Sequence, residues 1–187
     1  MNEAVAYREM IQAASDAIWA RVEGVPADKL HARPAPGANP VGWNYWHALR
    51  VWDLDINWMI KGQNPAEDTW HRGDFTTKSG YNPDGKGLRA TGIGLGYSDA
   101  DVDELAVIPL EVLKEYQDML LAETLAYLDA ADDDELRRSI PTLNPPGQTT
   151  SVATRLQHLV THTWNHIGEL SYAKGLLGMT DATYPGR

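Results

Sequence analysis

The chain has 187 residues, a net charge of −10 and no cysteine. That length suits one domain with a substantial core. The missing cysteine excludes disulfides, thiolate metal sites and a cysteine nucleophile, and the acidic excess without any basic run argues against nucleic acid or an anionic membrane surface as partner.

No stretch approaches the roughly 20 apolar residues that span a bilayer. The first residues lack a basic start followed by an apolar run, so no signal peptide is read there. A cytoplasmic protein is expected. A small anionic substrate stays open if an arginine or two line a pocket.

The first helix is expected over about residues 3 to 24, where Tyr7, Met10, Ile11, Ala14, Ile18 and Val22 recur at helical spacing. Gly24 and Pro26 stop it. Residues 25–39 read as a connection broken by Pro34, Pro36 and Gly37. Asn39 before Pro40 is a start signal, because asparagine accepts from free N–H groups and proline tolerates the first turn. Helix two follows, over about residues 40 to 61.

Residues 62–97 carry Gly62, Gly73, Gly80, Gly85, Gly87, Gly92, Gly94 and Gly96 with Pro65 and Pro83, and no period survives. A loop of that length is functional, packed or disordered. Trp70, Phe75 and Tyr81 suggest that it packs, folded over one end of the helices. Ser98 and Asp101 suit the cap of a short helix. Helix three is expected over about residues 109 to 131, with Leu110, Leu113, Gln117, Leu121, Leu125 and Leu128 on one stripe. The acidic run 132–135 and a Pro/Gly loop over 141–149 follow. Thr150 or Ser151 then caps helix four, which stops at Gly178. Four amphipathic helices with almost no strand signal predict one all-α domain over 1–187, a four-helix bundle with a long Gly-rich loop between helices two and three.

The chemistry depends on which histidines face inward. A helix turns about 100° per residue. In helix two, Trp43, Val51, Leu54 and Trp58 cluster on one side, with His47 in their midst. In helix four the stripe is Val152, Leu156, Leu159, Thr163, Leu170 and Leu177. His166 lies about 40° from its centre, His162 about 80° and His158 about 120°. Residues four apart meet one turn apart. His158 and His166, about 12 Å apart along the axis, do not suit one ion. His162 and His166 therefore form the pair, and His47 from a facing helix completes a three-histidine site. Three protein ligands leave a position open for water or substrate. The rival reading is a polar core network; a single inward histidine is usually satisfied by a hydrogen bond.

Two stretches resemble the DinB/YfiT superfamily of metalloenzymes. One is Gly42-Trp43-Asn44-Tyr45-Trp46-His47-Ala48-Leu49-Arg50, with Asp53 following. The other is His158-Leu159-Val160-Thr161-His162-Thr163-Trp164-Asn165-His166-Ile167-Gly168-Glu169. The resemblance covers most of the chain and implies an up-down-down-up bundle, often dimeric. It implies a divalent metal, commonly zinc or nickel, on His47, His162 and His166. Some relatives use a low-molecular-weight thiol, mycothiol or bacillithiol, as co-substrate, and others are presumed hydrolases.

Arg50, one turn from His47, is a candidate for a substrate carboxylate or for an ion pair with Asp53. Asp53 is also a candidate to orient a ligand histidine, and Glu169 to do so or to act as a base. His158 is read as a pocket wall, a neighbour of the ligands or a surface residue; His31 and His71 are read as non-ligands. Tyr45, Trp52 and Ile56 form a second apolar face on helix two, to be covered by the long loop or, in a homodimer, by another subunit. The leading expectation is a metal-dependent transferase or hydrolase acting on a small molecule. The alternatives are a non-catalytic metal or ligand binder and a metal-free helical interaction protein.

Overall fold

The structure is a computed structural model that describes residues 3–143 and 145–179. Helix α1 (Glu3–Val22) is followed by the short α2 (Ala27–Leu30). Helix α3 (Val41–Asp53) runs without a break into a π-helical segment, Leu54–Ile60. Short helices α4 (Thr69–Arg72), α5 (Phe75–Ser79) and α6 (Asp99–Glu104) lead to the long α7 (Leu110–Ala130). Helix α8 (Asp133–Arg137) precedes a small antiparallel ribbon, β1 (Ser139–Pro141) with β2 (Thr149–Ser151), and α9 (Val152–Leu176) follows. Ile140 pairs with Thr150 in the ribbon. Both α1 and α3 pack against α7 and α9. The chain is therefore mostly helical, as the periodicity predicts.

The caps explain where the helices begin. Ser98 accepts from Asp101 N, and Asp101 accepts from Ser98 N at 2.9 Å, a reciprocal pair that starts α6. Ser151, rather than Thr150, caps α9 by accepting from Thr154 N at 3.1 Å. The expected Asn39 cap is not made. Pro40 holds the cap position in extended backbone, and no side chain accepts there. The acidic run becomes α8 because Asp132 accepts from Glu135 N at 2.8 Å.

Every residue of α3 is buried. The face carrying Tyr45, Trp52 and Ile56 is covered within the chain, chiefly by α7: Trp52 Nε1 donates to Thr124 Oγ1 at 2.9 Å, and the Tyr45 hydroxyl donates to Gln117 Oε1. That removes the reason for expecting a second subunit there. It also explains why the α7 stripe differs from the expected one. Tyr116, Leu120 and Thr124 are buried in place of Leu110, Leu121 and Leu125; Tyr116 and Thr124 meet buried donors of α3, and Leu120 joins the apolar core. Gln117 completes the set by donating to Ser15 Oγ at 2.6 Å and to its carbonyl at 2.8 Å.

The segment expected as one loop contains α4 and α5, each too short for a period to show. Trp70, Phe75 and Tyr81 are buried, as their aromatic character suggested. The segment is pinned to α3 by buried charge. Arg50 Nη1 donates to Asp53 Oδ2 at 3.2 Å and to Asp68 Oδ2 at 3.0 Å. Asp53 also accepts from Tyr116 Oη at 2.6 Å, from the N–H groups of Thr69 and Trp70 at 3.1 and 3.0 Å, and from Asn57 Nδ2 at 2.7 Å. Arg50 Nε donates to the Gly92 carbonyl at 3.3 Å.

Removing one partner from such a network leaves charge buried and unpaired. Asp53→Ala is expected to destabilise the fold by about 3–5 kcal/mol. Urea denaturation measures it, and a loss under about 1 kcal/mol would show that the network is not what holds the segment.

Candidate metal centre

His47 enters from α3, and His162 and His166 enter from α9, one turn apart. One ligand atom from each lies within 4.8 Å of the others. The ring centroids are 5.3 Å apart for His47 and His162, 4.9 Å for His47 and His166, and 4.5 Å for His162 and His166. Nε2 of His162 lies 3.3 Å from Nε2 of His166. Two imidazole nitrogens on one tetrahedral zinc, at Zn–N distances near 2.05 Å, stand about 3.3 Å apart. The donor set therefore fits a divalent ion.

Neighbours orient the rings. His47 Nδ1 is hydrogen-bonded to the Ile93 carbonyl, which can only accept, so the proton sits on Nδ1 and the lone pair on Nε2. Trp43 stacks on the His47 ring at 4.7 Å and 15°. Gly94 follows Ile93 at φ +96°, and a Cβ there would lie 2.9 Å from Trp43 Cζ2 and 3.0 Å from His47 Nδ1. The loop can approach His47 this closely only because residue 94 has no side chain. Nδ1 of His166 lies 2.8 Å from Glu169 Oε2, but not in the alignment of a hydrogen bond. Glu169 is exposed.

Burial keeps all three rings uncharged at neutral pH. It lowers His47 to about 4, with the nearby His166 pushing the same way against the Ile93 carbonyl. Burial and the neighbouring imidazoles lower His162 to about 2, and burial lowers His166 to about 4. Uncharged imidazoles are the metal-binding form.

A cleft of about 370 Å³ opens beside the histidines, lined by His47, Val51, Leu54, Ile93, Leu95, Leu143, Arg155, His158 and His162. Most of that wall is apolar. Val51, Leu54 and Ile93 form a small hydrophobic cluster of their own, with Leu143 packed against it.

A family model for the DinB superfamily matches residues 10–170. The chain belongs to the DinB superfamily. No curated protein matches it. The crystal structure of a conserved protein from Enterococcus faecalis is similar, with a TM-score of 0.77 and 20% identity over 95% of this chain and 99% of that one. At that identity the likeness shows the fold alone.

Of the residues singled out in this DinB-superfamily chain, His47, His162 and His166 come together, and Glu169 stands beside His166. Arg50 and Asp53 do not line the cleft; they sit in the buried network described above. His71 has a carboxylate on each ring nitrogen, Asp68 at 2.7 Å and Asp84 at 2.9 Å, and it is not part of the three-histidine group. His158 does line the cleft. Sequence reasoning missed Ile93 and Gly94, whose roles are a carbonyl and a missing side chain and leave no periodic trace. It also missed Asp55 and Arg155. Asp55 was detectable as an acid on a helix that is otherwise apolar on two sides.

Gly94→Ala is expected to displace His47 and weaken zinc binding at least about tenfold while leaving helical content unchanged. Chelator competition and circular dichroism read the two quantities, and unchanged affinity would show that the approach to His47 is not constrained. In the metal-free protein the unfolded histidines bind protons near pH 6.5, whereas the folded ones resist down to about 4 or below. Their contribution to stability is therefore complete above about pH 6.5 and is lost as the pH falls towards 4. Thermal melts should show this decline, and His162→Gln should make it shallower.

Proposed function

We propose that the protein is a metal-dependent enzyme in which His47, His162 and His166 hold one divalent ion, zinc or nickel, beside a cleft for a small molecule. The observation that carries the reading is the 3.3 Å separation of two Nε2 atoms at the edge of that cleft. Bound there, such an ion would make water or a thiol a better nucleophile near neutral pH.

The chain's own residues would do the rest. Ile93 and Trp43 hold the His47 ring, and Glu169 places a negative charge 2.8 Å from His166 Nδ1. The apolar wall of Val51, Leu54, Ile93, Leu95 and Leu143 excludes water from one side of a bound molecule. Arg50 and Asp53 act by position: they hold the segment that presents the Ile93 carbonyl, and do not touch the substrate. We read the four long helices as an up-down-down-up bundle forming one domain. A non-catalytic metal binder would not need a cleft at the ligands, and the cleft walled by His47 and His162 favours catalysis. Thiol transfer, with a low-molecular-weight thiol as co-substrate, has the support of the family resemblance. Hydrolysis is the other reaction that the same centre would serve.

Elemental analysis of untagged protein is expected to give close to one divalent metal per chain, lost in His162→Ala. Failure to take up zinc, nickel or manganese when these are supplied would overturn the reading. Activity that requires an added thiol would select transfer; turnover of activated esters without one would select hydrolysis.

A further inference from the structure

One wall of the cleft is not explained by the three-histidine group. Asp55 lies on the π-helical segment and is fully buried. Its Oδ1 is 2.6 Å from Arg155 Nη2, and its Oδ2 is 2.8 Å from His158 Nδ1. Arg155 and His158 both line the cleft, next to His47 and His162. The His158 ring lies 5.5 Å from that of His162, tilted by 30°.

The chemistry of Asp55 sets the orientation of His158. An ionised carboxylate has no proton to give, so in the uncharged ring the proton sits on Nδ1 and the lone pair on Nε2. The Nδ1 side is closed by the buried acid. The side chain is 44% exposed and lines the cleft, and Nε2 is the ring nitrogen that Asp55 does not engage. Arg155 already supplies the positive charge that a buried Asp55 requires. The bond to His158 is therefore not needed for charge balance; what it adds is a fixed ring with a free acceptor at the cleft. π-Helical segments recur at functional sites, and this one delivers an acid to the back of a histidine.

We propose that His158, oriented by Asp55, accepts the proton of an X–H nucleophile that enters the cleft beside the three-histidine centre. The proposal rests on the metal-enzyme reading above. In the step the X–H bond breaks, an Nε2–H bond forms and the electron pair stays on X. The resulting imidazolium faces the Asp55 carboxylate, and its Nδ1–H bond strengthens. The Arg155–Asp55 pair stays intact throughout. A thiol is the simplest X–H group to follow, and 2-mercaptoethanol serves as the probe.

Nitrogen-15 spectroscopy of labelled histidines in the full chain tests this. In the metal-free protein His158 is expected as the Nδ1–H tautomer, a preference lost in Asp55→Asn. Zinc should shift His47, His162 and His166 and leave His158 Nε2 unbound. Adding 2-mercaptoethanol to the zinc-loaded protein should then protonate His158 Nε2. His158→Gln can still donate to Asp55 but cannot take up a proton. It should weaken uptake of the thiol roughly tenfold by calorimetry while zinc affinity stays within about twofold. An Nε2–H tautomer in the wild type, zinc on His158, no thiol uptake, or uptake with His158 unprotonated would each overturn the proposal while the metal reading stands. No zinc uptake at all would sink the metal reading, and the proposal with it.

Discussion

The convergence of three uncharged imidazoles at one point inside a helical core is the constraint on which the structure depends. Burial, helped at His47 and His162 by the neighbouring imidazoles, keeps the rings uncharged, and Nε2 of His162 stands 3.3 Å from Nε2 of His166. Polar atoms placed so close and largely buried are best satisfied by a shared partner. A proton shared between His162 and His166 would satisfy two of the rings, but His47 would remain, because its Nδ1 proton is already committed to Ile93. A single cation satisfies all three. The metal reading therefore rests on a count of donors and acceptors as well as on distance.

Holding His47 in place makes further demands on the fold. Its helix is buried on every side, so its polar groups are costly unless paired inside the protein; Trp43 Nε1 and Trp46 Nε1 go unpaired, whereas most of the others are paired. Tyr45 and Trp52 find theirs on α7, and Asp53 finds donors on α7 and in the segment after the π-helix. Arg50 ties the same segment down again through Asp68 and the Gly92 carbonyl. The next residue, Ile93, orients His47. The buried charge network and the metal centre are thus consecutive parts of one arrangement. The network fixes the backbone at residue 92, and the centre uses the carbonyl at residue 93.

Whatever follows from periodicity was legible in the sequence. The inward direction of His47, the pairing of His162 with His166 and the graded exposure of the α9 histidines come from a helical wheel, and the structure has the same order: His166 buried, His162 intermediate, His158 exposed. The parts that were not legible depend on contacts between distant segments. Nothing local tells Leu121 from Leu120 as the buried residue of α7; the packing of α7 against α1 and α3 decides it. Helices as short as α4 and α5 are set by capping and tertiary packing, so the stretch around them read only as glycine-rich. Asp55 and Arg155 are separated by a hundred residues, and nothing local to either pairs it with the other.

The four-residue spacing of the histidines has a geometric consequence of its own. Four residues carry a helix about 40° past a full turn, so each step along His166, His162 and His158 climbs about 6 Å and rotates outward. One helix therefore offers a candidate ligand in the core, a second at the core's edge and a histidine at the cleft wall. The two inner rings bring their Nε2 atoms to 3.3 Å of each other. The outer ring is too far along the axis to join them, and it is turned far enough for Asp55, from the π-helical segment, to reach its back. The same repeat that brings His162 and His166 together with His47 therefore also places, one step out, a histidine on the wall of the cleft.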